Sequence, residues 1–356
     1  MTGSDGRRAS LADTLRVAGK VVLPTVAGGV IMRRPAAMSL AQKWQTDAAA
    51  IATLQRLRAR WGSAPLPLRV AGRNVVLLLS PDDVDHVLAD SPEPFALASR
   101  EKVAALGHFQ PHGVLVSSGE IRLRRRHVNE AVLQPDRRTH ALAPSIVGVV
   151  RDETDLVLRH AVHNGRFTWG DFTQGWWRAV RRITLGDAAR DDHALINDLA
   201  ALRADANWAF LRQKRTALRR RFQRRLDAHL DRADDGSLAH ALADTHASPD
   251  VDSHGQVPHW LFAFEAAGIV TYRALGLLAA HPEHVERARE ELAAADLSQP
   301  QTLDFLRACA LESVRLWPTT PMILRETTTD TTWRGVNHPS GTTVLIYTPF
   351  FHRDAR

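Results

Sequence analysis

Arg125, Arg325 and Glu265 each stand in an apolar setting, where side-chain charge is costly unless something answers it. In the stretch 121–133, Ile121, Val128 and Val132 recur at helical spacing and Arg125 lies among them, while Arg122, Arg124 and Arg126 spread over other faces. A guanidinium on that face needs an anionic partner, either an internal Asp or Glu or a bound carboxylate or phosphate. Spacing alone favours the internal partner. Arg325 ends the strand-like run Met322-Ile323-Leu324 and points with Ile323 in alternation. Arg125 and Arg325 together would make a two-armed clamp for an anionic ligand. Glu265 interrupts the apolar run Leu261 to Gly268, and a desolvated carboxylate there suits proton relay. The small residues Ala266-Ala267-Gly268 let a neighbouring helix or a flat ligand approach, close helix packing being the commoner cause. Glu312 and Arg315 share a helix face at i, i+3. Leu311, Val314 and Leu316 around them suggest a partly buried pair that fixes geometry. Cys309, one turn earlier, reads as inert packing.

The elements that must position these groups are mostly helices. A helix is expected over 39–61. Hairpin strands flank Gly72-Arg73, and Ser80-Pro81-Asp82-Asp83 opens a helix that Ser80 can cap. Helical patterning then runs on, with breaks at Asn164-Gly165, Asp234-Asp235-Gly236 and Ser248-Pro249-Asp250. A long apolar helix covers 260–280 and stops at His281-Pro282, and its two charges, Glu265 and Arg273, argue against a membrane span. Strand character returns after Pro321, in Thr331-Thr332-Trp333 and from Thr342 to Tyr347. The fold class is therefore α+β, mainly α, with a small β-sheet built from the N- and C-terminal parts. Residues 1–38 form an N-terminal arm and 39–356 one domain.

A single cysteine excludes an internal disulfide framework and any multi-thiolate metal site, and it suits a reducing cytoplasm. The net charge of +7 is concentrated between Leu211 and Leu226, which holds no acidic residue. Leu211, Leu218, Phe222, Leu226 and Leu230 recur through it at helical spacing, so the charge reads as the outer face of an amphipathic helix and not as a nucleic-acid surface.

Several motifs in order resemble the cytochrome P450 family of haem-thiolate monooxygenases, from about residue 50 onward. Glu312-x-x-Arg315 is similar to the family's Glu-x-x-Arg helix motif, extended by Leu316-Trp317-Pro318 and Pro321 to Arg325. His352-Arg353-Asp354 matches the segment after the family's late hairpin, and 119–129 resembles its arginine-bearing helix beside the haem. The resemblance implies that Arg125 and Arg325 bind the haem propionates. It implies that Ala263, Ala266 and Ala267 lie on the haem face, that Glu265 relays protons, and that Glu312 and Arg315 support the fold behind the haem. Three departures stand out. Ala266 replaces the usual pocket threonine, Ile121 replaces a Trp or His, and the axial cysteine loop is absent from the sequence given, so no metal ligand is assigned. The expectation is a soluble, cytoplasmic, bacterial-type haem monooxygenase, incomplete at its C-terminus and inactive as given. It would oxidise a small apolar substrate with O2 and electrons from a ferredoxin-type donor, for which Arg122, Arg124 and Arg126 offer a basic face. A non-catalytic binder of hydrophobic ligands and a peroxide-using relative remain alternatives.

Overall fold

The structure is a computed structural model that describes residues 8–70 and 72–354. In chain order, α1 (Leu11–Val17), α2 (Leu23–Gly28), α3 (Pro35–Lys43) and α4 (Thr46–Trp61) precede β1 (Leu66–Val70) and β2 (Arg73–Leu77). Then come α5 (Pro81–Ala89), β3 (Phe95–Ala96), α6 (Arg100–Leu106), α7 (Gly119–Leu133), α8 (Ala143–His163) and α9 (Trp169–Leu185). The helical series continues through α10 (His193–Ala206), α11 (Thr216–Leu230), α12 (Leu238–Ala243), α13 (Val257–Ala280), α14 (Pro282–Ala293) and α15 (Asp304–Leu316). Strands β4 (Met322–Thr327), β5 (Thr331–Trp333), β6 (Val336–His338) and β7 (Thr343–Tyr347) lead to α16 (Thr348–His352). This is the mainly helical architecture with small sheets that the patterning predicts.

Five strands form one sheet in the order β1-β2-β7-β4-β3, so its middle joins the two ends of the sequence. The β2–β7 pair is parallel and the others are antiparallel. Period-two alternation divides β7 between two apolar layers. Leu345 and Tyr347 face the layer that holds Val17, Val21, Leu54 and Leu57, while Val344 and Ile346 face Val87, Phe95 and Trp333. A third, larger core lies among the helices, where Phe222, Leu226 and Leu230 of α11 meet Leu195, Leu199 and Leu202 of α10 and Trp260 and Leu261 of α13.

Several local expectations change. The helix expected over 39–61 is two helices, because Gln45 takes a left-handed conformation (φ 51°) between α3 and α4. The segment expected as an arm is helical over Leu11–Gly28, buries Val17 and Val21 against the sheet, and is tied to β1 by Ala9 N–H to the Pro67 carbonyl (3.0 Å). Ser80 occupies the N-cap of α5, yet its hydroxyl does not cap the helix. Leu211 precedes α11 and is exposed, so the apolar stripe of that helix begins later. The hairpin after β4 is β5–β6, whereas β7 returns to the main sheet.

α13 is the central helix. The stretch Pro249–Ala280 is long and apolar enough by composition to cross a membrane, but here α13 packs against α9, α14 and α15. Trp176 of α9 donates to the Phe264 carbonyl (3.0 Å), and Ser313 of α15 donates to the Val270 carbonyl (3.0 Å). A Cβ added at Gly268 would stand 2.8 Å from the Trp176 indole nitrogen, so the absence of a side chain there sets the α9–α13 distance. Gly268→Val is expected to lower stability by about 1–3 kcal/mol, read by thermal or denaturant unfolding. An unchanged midpoint would mean that the two helices tolerate separation.

Candidate functional site

The site forms where α6, α7, β4 and the start of α13 converge. Arg325 stands on β4, where burial and the positive charge of Arg122 hold its guanidinium below the ordinary arginine range. Lys102 stands on α6, whose N-cap Ser99 accepts from the Lys102 N–H. Burial, with the added repulsion of Arg325, pushes the Lys102 ammonium down to about 8. His259, in the first turn of α13, is pushed down to about 4 by burial and by the charge of Lys102. Burial and Arg126 lower Arg122 against the opposing pull of Glu130, and its Nε is buried with no hydrogen-bond partner.

Among the described residues no carboxylate acts on Lys102, Arg325 or His259. Like charges held this way in a low-dielectric setting call for an anion between them. The arrangement can bind one or two carboxylates or phosphates with charge-assisted hydrogen bonds.

Arg125 and Arg325, expected to form a clamp, are engaged separately here, and Arg325 donates to the Ser91 hydroxyl (3.2 Å) and the Leu324 carbonyl (3.1 Å). Arg125 donates to the Val251 carbonyl (3.0 Å) and the Ser117 hydroxyl (2.7 Å), and its charged neighbours are Asp252 and Asp250. The α7 cation whose charge acts on Arg325 is Arg122, one helical turn earlier. Lys102 and His259 were not foreseen. His259 left a readable trace, as a lone polar ring opening an apolar helix. Lys102 left none, because its neighbours belong to distant segments.

Glu265 is paired with Arg203, a guanidinium only 2% exposed that also donates to the Ile31 carbonyl (3.0 Å). The pair ties α10 to α13. Ala263 and Ala267 are exposed on α13 and Ala266 is half-buried, so the small-residue face is open along one side. Leu275, two turns beyond Ala267, and Leu311 of α15 are exposed as well. The molecule presents 18,938 Å² of accessible surface, where a closed globular protein of 39.4 kDa presents about 14,000 Å².

Arg315 donates from Nε and Nη2, along one guanidinium edge, to the two Glu312 carboxylate oxygens (2.7 and 2.6 Å). The pair is nearly half exposed, against the expectation of partial burial, and Arg315 also donates to the His352 carbonyl (3.0 Å). Arg353 donates to the Leu316 carbonyl and Asp354 accepts from Arg58 (2.5 Å), so the motif residues lock α15, α16 and α4 together. On α15, burial and the nearby Glu291 push the Cys309 thiol up, as suits an inert side chain and not a thiolate. Arg124 and Arg126 are paired with Asp250 and Glu130, and Arg122 is buried, so that face is not a free basic patch. Part of the basic charge around α11 is likewise answered, since Arg221 pairs with Asp198 while Arg212 and Arg215 share Asp205.

The cation cluster beside an open, flat, small-residue face fits haem, which offers two carboxylates at one edge of an apolar plate. Comparisons with known proteins point the same way. Residues 263–356 match the family model described as Cytochrome P450. Cytochrome P450 4c3 of Drosophila melanogaster is 36% identical over 91 residues, covering 23% of this chain and 17% of the relative. Methyltetrahydroprotoberberine 14-monooxygenase of Papaver somniferum is 34% identical over 88 residues, again 23% and 17%. The matched stretch thus spans less than a fifth of either relative. A crystal structure of a cytochrome P450 (CYP102L1) superposes with a TM-score of 0.67 at 17% identity, over 86% of this chain and 75% of that one. Residues 263–356 are thus similar in sequence to cytochrome P450s, and most of the chain shares the fold of one.

Proposed function

We propose that the protein takes part in haem-dependent monooxygenation of a small apolar organic substrate, drawing on O2 and electrons from a separate donor protein. The observation that carries this reading is the half-buried cluster of Lys102, Arg325 and His259, on which no carboxylate among the described residues acts, with Arg122 beside it. Arg122, Arg325 and Lys102 would hold the propionate carboxylates, and His259 would donate a hydrogen bond from its neutral ring. Ala263 and Ala267 would let the macrocycle lie against α13, with Ala266 and Phe262 beside it. When bound, haem supplies the oxygen-activating iron, and a thiolate ligand would favour O–O cleavage. Cys309 is the single cysteine of the sequence, and its place on α15 and its raised thiol do not suit that ligand. Within residues 1–356 an axial thiolate therefore has no source.

The protein's own residues set the surroundings of the reaction. Arg203 pairs with Glu265 and, with its guanidinium over the Phe262 ring (4.8 Å), keeps that stretch of α13 oriented. The apolar side chains of α13 and the Phe109–Phe262 contact (5.7 Å between ring centroids) exclude water and suit an apolar substrate. An acidic donor protein at α7 would have to compete with Asp250 and Glu130 for Arg124 and Arg126. We place the protein in the cytoplasm, in keeping with its lone unpaired cysteine.

A second reading is favoured by one specific observation. Ala266 carries no hydroxyl and Glu265 is committed to Arg203, so the usual route for delivering protons to bound oxygen lacks two of its groups. Peroxide, which already carries the reducing equivalents, suits such a pocket.

Three outcomes test these readings. In a haem titration followed by Soret absorbance, Arg325→Ala and Arg122→Gln should each weaken retention by about tenfold or more, while Arg125→Gln should have a smaller effect. Equal losses in all three would reject the assignment of the clamp to Arg122.

The second concerns pH. The folded pKa of Lys102 lies below its unfolded value of 10.5, at about 8, so the unfolded chain binds more protons between those values. Stability of the haem-free protein should therefore rise as pH increases from about 8 to 10.5, by up to a few kcal/mol, and Lys102→Met should flatten that rise. A bound anion should flatten it too. The third compares oxidants in a protein furnished with an axial cysteine. Turnover that needs a reductase and a ferredoxin-type donor supports the first reading, and turnover with hydrogen peroxide alone supports the second.

A further inference from the structure

The first helices of the chain are apolar on both sides. From Leu11 to Gly28, α1, a π turn at Ala18–Val22 and α2 run on as one right-handed helical rod. Val17 and Val21 are buried on its inner side, as are Asp13 and Thr14. On its outer side Leu11, Leu15, Leu23 and Val26 are exposed. Leu11, Leu15, Gly19 and Leu23 recur at every fourth residue. In a plain α-helix that spacing drifts around the axis, and the wider π turn takes up the drift, which keeps them on one face. Val30 and, on α3, Leu40 and Trp44 extend the exposed apolar surface.

A second exposed apolar group adjoins the first. The loop joining α10 to α11 carries Trp208, Phe210 and Leu211, which are 43%, 59% and 80% exposed. Asn207 stitches this loop to the chain that leaves α2. Its side-chain oxygen accepts from the Ile31 and Met32 N–H groups (2.9 and 3.2 Å), and its amide nitrogen donates to the Met32 carbonyl (2.7 Å). The Arg34 guanidinium lies over the Trp208 ring (4.3 Å). Large apolar side chains left in water at a loop tip do little for the fold, and a group of them marks a contact surface.

The charge around this surface has one sign. Between residues 8 and 44 the cations are Arg8, Arg16, Lys20, Arg33, Arg34 and Lys43, and the single acid is Asp13. Asp13 is buried and already bound by Arg16 (2.8 Å) and Trp61 (3.2 Å). The loop adds Arg212, Lys214 and Arg215 and no acid, although both arginines turn to the buried Asp205. Lys20, Lys43 and Lys214 are exposed and form no ion pair among the described residues.

We propose that this surface docks on the anionic face of a lipid bilayer. Phe210, Leu211 and the outer stripe of α1 and α2 enter the boundary between headgroups and acyl chains, and Lys20, Lys43 and Lys214 meet lipid phosphates. The protein lies on the bilayer and does not span it. Charge decides between the possible occupants. A second copy of the chain would set these cations against one another, and a folded partner would need a groove to receive the protruding loop. A fluid anionic surface accepts both the protrusion and the charge, and Trp44 and Trp208 suit its interface. The surface is independent of the haem reading, because Arg122, Lys102, Arg325 and His259 lie outside it.

The test is co-sedimentation of the full chain with vesicles of phosphatidylcholine and phosphatidylglycerol in equal parts, beside vesicles of phosphatidylcholine alone. The chain should pellet with the mixed vesicles and bind the neutral ones more weakly. Leu211→Glu and Leu15→Glu, one in each segment, should each weaken binding to the mixed vesicles by about tenfold or more. Lys214→Gln should weaken it by about fivefold and leave binding to neutral vesicles unchanged. Leu297→Glu, at an exposed leucine outside the surface, should bind as the parent does. All four side chains are exposed, so the melting temperature should stay where it is in each variant. Failure of the parent chain to pellet with the mixed vesicles would overturn the proposal. So would full binding by Leu211→Glu and Leu15→Glu, or an equal loss in Leu297→Glu. Self-association without lipid that Leu211→Glu abolishes would also overturn it, and would assign the surface to a second copy of the chain.

Discussion

Positive charge that has no negative partner constrains the structure more than any other feature. Arg122, Lys102 and Arg325 come from α7, α6 and β4, segments far apart in sequence, and each is pushed toward its neutral form by burial and by a like-charged neighbour. Left alone, such an arrangement opposes folding, because desolvation and repulsion act in the same direction. It becomes favourable when carboxylates enter, since the same low dielectric that penalises the bare cations strengthens their hydrogen bonds to an anion. The flat open stretch of α13 beside them then has a purpose: it leaves room for the apolar body to which those carboxylates belong.

Holding that cluster together requires α13 to be fixed in rotation and in height. This is achieved by polar contacts to its backbone and ends more than by its apolar surface. Trp260 donates to Asn129 of α7 (2.7 Å), and Asn129 donates to Gln256 (3.3 Å), which in turn reaches the His112 carbonyl (2.8 Å). Trp176, Ser313 and Arg203 add directed contacts from α9, α15 and α10. Apolar packing alone would tolerate a helix sliding by a residue. Buried donors and acceptors do not, because each slip strands a polar group.

The C-terminal motif residues work differently. The Glu312–Arg315 pair is exposed, so by itself it adds little stability. Its value is positional, because the remaining guanidinium nitrogen binds the His352 carbonyl while Arg353 and Asp354 bind back to Leu316 and Arg58. Residues that appear as a local i, i+3 pair in sequence thus cross-link the last helices to α4, on the far side of the sheet from the cation cluster.

Element by element, much of this was legible in the sequence. The stop at His281-Pro282, the breaks at Asn164-Gly165 and Ser248-Pro249, and the β1–β2 hairpin around Gly72-Arg73 follow from local backbone preferences, which act within a few residues. The same is true of the identity of the motifs, since Glu312, Arg315 and His352 to Asp354 carry their spacing with them. Partners were not legible. Arg125 was expected in a clamp with Arg325 and here donates to the Val251 carbonyl, Arg122 is the α7 cation whose charge acts on Arg325, and Glu265 is held by Arg203. Helical periodicity sets Arg125 with Ile121, Val128 and Val132, while Arg122, three residues earlier, stands about 60° around the helix from it. Which of them meets β4, and which carboxylate meets Arg203, depends on how α7 and α13 are turned against segments far away in sequence. That rotation is set by the packed core and its buried hydrogen bonds, so only the tertiary structure decides it.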